Sequence, residues 1–122
     1  MRMRSTLHRI ALALAVAAIA AIVAVPALAR QHRQSAVNIK VKAVDLKFIV
    51  PLKSARHGRI QFSVVNKGAL KHDFKIAGKK TPLIAPGQTK VLKLTLKKGK
   101  YKYLCTVPGH AAAGMKGTFT VK

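Results

Sequence analysis

Near the C-terminus, Cys105-Thr106-Val107-Pro108-Gly109-His110-Ala111-Ala112-Ala113-Gly114-Met115 carries a thiol, an imidazole and a thioether in one segment, with four residues between each neighbouring pair. Sulfur ligands of these two kinds select soft or borderline metals, and imidazole suits copper in both of its common oxidation states. Zinc has no use for the methionine, whereas copper accepts two imidazoles and a thiolate in a trigonal set with a long, weak axial thioether. That geometry lies between the preferences of the reduced and oxidised ions, so little rearranges when one electron moves. The second imidazole must come from elsewhere, and His72 in Leu70-Lys71-His72-Asp73-Phe74 is the candidate. Taken singly, Cys and Met are common core residues; their order and spacing with His110 point to copper. His8, His32 and His57 stand alone without ligand spacing, so no second metal centre is expected and an enzyme is disfavoured.

The N-terminus bears on where such a site would operate. Arg2, Arg4 and Arg9 flank an apolar run from Ile10 to Val25, followed by Pro26 and the small-x-small tripeptide Ala27-Leu28-Ala29. These are the three parts of a secretory signal peptide, which assigns residues 1–29 to a leader cleaved after Ala29 and the mature protein to the periplasm or its equivalent. Retention as a membrane anchor is the alternative, although the run is short for a span. Cys105 is the only cysteine. In an oxidising compartment it cannot form an intramolecular disulfide, so it must be buried or occupied by a metal.

Charge bears on partners. Without the leader's three arginines the chain keeps 21 Lys and Arg against two acidic residues, Asp45 and Asp73, for a net charge of about +19. Such a field attracts acidic redox proteins or an anionic membrane surface, at rates that fall with salt. Nucleic acid is not an expected physiological partner, because export removes the chain from it and the six aromatic residues fall at core positions rather than on a stacking platform. The other reading of the lysines is a solvated face that keeps a small monomer soluble.

Holding the candidate ligands falls to strands. After a basic lead at residues 30–35, expected to be flexible, apolar residues recur with a period of two: Val37, Ile39 and Val41, then Leu46, Phe48 and Val50, Ile60, Phe62 and Val64, Leu92, Leu94 and Leu96, Tyr101, Tyr103 and Cys105, and Phe119 and Val121. Asn66-Lys67-Gly68, Pro86-Gly87, Lys98-Gly99 and Pro108-Gly109 supply turns. Residues 36–122 should therefore fold as a single all-β domain, an antiparallel Greek-key sandwich or barrel. Cys105 continues the inward parity of Tyr101 and Tyr103, which points its sulfur into the interior.

The segments Tyr103-Leu104-Cys105-Thr106-Val107-Pro108-Gly109-His110, Ala113-Gly114-Met115 and Asn66-Lys67-Gly68 with His72-Asp73-Phe74 resemble the ligand loops of the cupredoxins, the small blue copper proteins. The resemblance covers nearly all of residues 36–122. It implies a sandwich of seven to eight strands, one type 1 copper, and His72, Cys105, His110 and Met115 as ligands. It also implies that Asp73 and Thr106, each following a ligand, tie the two ligand loops together, and that a backbone amide donates to the cysteine sulfur. Asp73 stands where several branches carry Asn, and it either tunes the copper or simply caps its loop. His110 would present one ring edge through an apolar patch of Leu70, Pro108 and Ala111 to Ala113. The function implied is mobile one-electron transfer; the alternative is a copper carrier or storage protein.

Overall fold

The computed structural model describes Ala17, Ala18 and residues 35–122. The expected leader and most of the basic lead lie outside the described residues. In β1 (Val37–Val44), Ile39, Val41 and Ala43 are buried while Asn38, Lys40 and Lys42 face solvent, as the alternation requires. β4 (Gly58–Asn66) repeats the pattern with Ile60, Phe62 and Val64. The remaining strands are β2 (Lys47–Ile49), β3 (Ser54–Ala55), β5 (Lys75–Ile76), β6 (Lys79–Lys80), β7 (Thr89–Leu96), β8 (Gly99–Leu104) and β9 (Lys116–Val121).

These strands form two sheets, ordered β2-β1-β4-β7 and β3-β9-β8-β5-β6. The expected all-β sandwich is what the chain forms, with two refinements. The sheets are mixed: β1 runs parallel to β4, and β3 parallel to β9. After β2 the chain leaves the first sheet, adds β3 to the edge of the second, and returns to start β4 at the end where β1 began. Among the described residues there are nine strands, more than expected because β3, β5 and β6 have two residues each, too few to leave a periodic signal. Leu46 also departs from its expected inward parity. It occupies a tight β1–β2 turn, is 39% exposed and has a φ of 64°, so the inward pattern restarts at Phe48.

Aromatic contacts join the layers. Phe62 of the first sheet meets Phe119 of the second with ring centroids 5.4 Å apart. Phe74 packs on Phe48 and Phe62, each at 5.2 Å, and on Tyr103 at 5.4 Å. Burying a phenylalanine contributes about 1.5–3 kcal/mol, and Phe74 is fully buried next to His72 and Asp73 in sequence. The core thus anchors the loop that carries the first candidate ligand.

Candidate metal centre

Two loops meet at one end of the sandwich. The first runs from β4 to β5 and is organised by Asn66, a fully buried amide with every polar atom satisfied. Its Nδ2 donates to the carbonyls of Leu70 and Ile84, both at 2.7 Å, and its Oδ1 accepts from Gly68 N at 2.9 Å. A two-way backbone bridge then pins His72 to Ile84: His72 N donates to Ile84 O at 3.2 Å and Ile84 N to His72 O at 2.7 Å. The His72 backbone is therefore fixed on both sides, and its ring is fully buried.

The second loop leaves β8 at Cys105 and returns to β9 after Met115. Cys105 N donates to Met115 O, and Met115 N donates to His110 O, both at 3.0 Å. His110 N caps the turn on Val107 O at 3.0 Å, and Gly109, at φ 84°, takes the left-handed conformation that this reversal needs. Backbone bonds thus hold the three residues in one closed loop. Cys105 and Met115 are buried, while His110 is partly exposed.

The loops bring His72, Cys105 and His110 together, with their ligand atoms all within 4.8 Å of one another. His72 Nδ1 lies 3.1 Å from His110 Nδ1, and Cys105 Sγ lies 3.6 Å from that same nitrogen. Metal–nitrogen and metal–sulfur bonds of about 2.0–2.3 Å, set trigonally, place ligand atoms roughly 3.5–4 Å apart, so the three converge at a spacing that suits one ion. Met115 is tied by its backbone to both Cys105 and His110 and is fully buried. Two nitrogens, a thiol sulfur and a thioether are the donor set that fits copper.

Asp73 joins the loops. Its Oδ1 accepts from Thr106 N at 2.6 Å, its Oδ2 accepts from the Thr106 hydroxyl, and its own amide donates to Cys105 Sγ at 3.5 Å. Burial pushes the Cys105 thiol up from its ordinary value, partly offset by the amides of Asp73 and Val107, so the metal-free sulfur keeps its proton at neutral pH.

One site residue escaped the sequence reading. Asp45, in the β1–β2 turn, places Oδ1 3.0 Å from His72 Nε2 and accepts from the amides of Ala69 and Leu70 at 3.0–3.1 Å. Those two amides, with the His72 ring, hold its carboxyl below the usual carboxylate range. A signal was available: the chain has only two acidic residues, and both touch the candidate ligand loops.

The family model for copper-binding proteins of the plastocyanin/azurin family matches residues 31–122. No match was found among curated protein sequences. Among solved structures the chain is similar to dithionite-reduced auracyanin from Roseiflexus castenholzii, with a TM-score of 0.65 and 21% identity over 71% of this chain and 98% of that one. It is also similar to auracyanin B, with a TM-score of 0.63 and 22% identity over 71% and 89% of the two chains. Rusticyanin from Thiobacillus ferrooxidans gives a TM-score of 0.62 and 23% identity over 71% and 77%.

Proposed function

The chain belongs to the plastocyanin/azurin family of copper-binding proteins and takes one copper, and from that premise we propose that it is an exported, mobile one-electron carrier rather than an enzyme. The proposed ligands are His72, Cys105, His110 and Met115. The observation that carries this reading is the convergence of two imidazoles and the chain's only cysteine in loops cross-tied by Asp73. Copper bound there supplies a centre that alternates between two oxidation states. The protein's contribution is rigidity. His72 is held by the Ile84 bridge, and the loop from Cys105 to Met115 is closed by its own backbone, so the site has little freedom to rearrange.

Enclosure favours electron transfer over hand-over of the metal. His72, Cys105 and Met115 are buried, and only His110 reaches partial exposure, beside exposed Pro108, Ala112 and Ala113. Leu70 and Leu83, 47% and 55% exposed, extend the apolar surface of the described fold. An electron would leave through the His110 ring. Met115→Leu should separate the site from the fold: similar volume keeps the stability change below about 1.5 kcal/mol. Loss of the thioether donor withdraws more from the oxidised than from the reduced ion, so voltammetry should show a higher reduction potential with the visible colour kept.

The partner is proposed to be an acidic protein, and strand register suggests where it docks. Lys80 lies opposite Lys75, Lys75 opposite Leu104, and Leu104 opposite Lys116, so one face of the second sheet carries three lysines in a row across four strands. Lys100 and Lys102 continue that face along β8, and all five lysines are exposed. Like charges placed directly opposite are destabilising, and their placement here suits an external anionic surface. The row sits where the ligand loops leave the sheet, since Leu104 precedes Cys105 and Lys116 follows Met115. With hexacyanoferrate(III) as an anionic oxidant, stopped-flow oxidation of the reduced protein should slow about tenfold or more from low to physiological salt. Lys75→Glu, Lys80→Glu and Lys116→Glu together should flatten that dependence. A rate indifferent to ionic strength would remove the docking role of the lysines.

A further inference from the structure

Asp45 lies 27 residues before His72 in sequence, yet its carboxylate meets the edge of the His72 ring that points away from His110 and Cys105. Its Oδ1 is 3.0 Å from His72 Nε2, so Nε2 carries the proton that it donates, and Nδ1 is left as the lone-pair nitrogen facing His110 Nδ1 at 3.1 Å. The same carboxylate accepts from Ala69 N and Leu70 N, two amides of the loop that ends in His72. One side chain therefore fixes both the ring and the backbone that presents it.

The surroundings are shaped around this contact. A Cβ on Gly68 would fall 2.1 Å from Asp45 Oδ1, so the loop approaches the carboxylate at a distance that only glycine permits. Leu46, the next residue, takes a φ of 64°, a conformation rarely adopted by a branched side chain, and strained backbone of this kind persists where the surroundings over-determine it. Asp45 also differs from Asp73 in its partner, because Asp73 braces the cysteine side of the centre through Thr106.

We propose that Asp45 is a positioning residue of the copper centre, the outer member of a carboxylate–histidine–metal relay that sets the tautomer and aim of His72. This rests on His72 being a copper ligand. An outer carboxylate of this kind makes its imidazole a stronger donor, and its loss typically costs 10- to 100-fold in metal affinity, about the range expected here. Its negative charge stabilises the oxidised ion more than the reduced one, so the residue also lowers the reduction potential.

The test uses Asp45→Ala and Asp45→Asn with three readouts. Nitrogen-15 NMR of the metal-free protein in mildly alkaline buffer reports the His72 tautomer, competition titration reports copper affinity, and voltammetry reports the potential. Wild type should show the Nε2–H tautomer. Asp45→Ala should lose that preference, weaken copper binding about 10- to 100-fold and raise the potential. Asp45→Asn keeps an acceptor for the ring and the loop amides, so it should restore the tautomer and most of the affinity while the potential stays raised. A purely loop-bracing role would leave the tautomer and potential unchanged in folded variants, and that result overturns the proposal. Should Asp45→Ala fail to fold, an unshifted potential in Asp45→Asn overturns it as well. Failure of wild type to bind copper would instead strike the ligand reading, and the tautomer measurement would still judge the Asp45–His72 contact.

Discussion

Cys105→Ser removes the intense visible absorption of the copper-loaded protein and lowers its copper affinity by more than about 100-fold. That bound follows from magnitudes: loss of an outer partner alone typically costs 10- to 100-fold, and this change removes the softest donor of the set. The fold should survive, because the serine hydroxyl can take the place of the buried sulfur that accepts from the Asp73 amide. Unfolding of the metal-free variant by urea checks this separately from the colour. The same thiol sets a pH dependence. Since burial raises its pKa, the metal-free sulfur is protonated at neutral pH, and copper must displace that proton. Apparent affinity should fall about tenfold per pH unit as pH drops, for one proton released. Conversely, the metal-free fold is favoured while the thiol is neutral, and it loses stability as pH rises past the ordinary thiol range, where the unfolded chain ionises first. A Cys105→Ser protein that stays intensely coloured would contradict the thiolate assignment.

The second large effect belongs to Asp73→Ala. The carboxylate is buried, 3% exposed, and holds Thr106 through both its amide and its hydroxyl. Hydrogen bonds to a charged group contribute about 1.5–3 kcal/mol each, and truncation leaves the Thr106 amide without its partner. Urea unfolding of the metal-free variant should show a loss of about 3 kcal/mol. Lys80, with Nζ 4.0 Å away and its side chain 56% exposed, contributes little of this. Asp73→Asn keeps one acceptor and should cost roughly half as much. A change below about 0.5 kcal/mol, the size of an ordinary surface substitution, would show that the two ligand loops are held together by something else.

Much of this was legible in the chain, and the limits were physical. The period of two in Val37–Val44, Gly58–Asn66 and Thr89–Leu96 exposed the three long strands of the first sheet, because each has one face toward the core and one toward water. Cys105 was legible for the same reason: it follows the parity of Tyr101 and Tyr103, which pack against the core, and it is buried. His72 could be named as a partner because the other histidines stand alone and Asn66-Lys67-Gly68 with His72-Asp73-Phe74 resembles a cupredoxin ligand loop, but its aim at His110 depends on a bridge to Ile84 that no local pattern encodes. The parallel pairing of β1 with β4 was hidden for a similar reason, since local alternation says nothing of strand direction. Asp45 was missed because the sequence shows it only as one of two acids in the charge balance, 27 residues away from His72. Only the folded chain brings the β1–β2 turn against the His72 loop.

Electrostatics divided in the same way. The excess of lysine was plain from composition, yet its concentration beside the ligand loops became visible only through the register of β5, β6, β8 and β9. Composition also held an unused clue in the scarcity of acids. In a chain so basic, each of its two carboxylates is fixed by several hydrogen bonds, and each fixes one side of the centre.

The most direct test of the His72, Cys105, His110 and Met115 centre is titration of the metal-free protein with Cu(II) while its visible spectrum is recorded. The predicted result is an intense sulfur-to-copper band that grows to an endpoint at one ion per chain and vanishes on reduction. Absence of the band at saturating copper, or uptake without a defined endpoint, would contradict it.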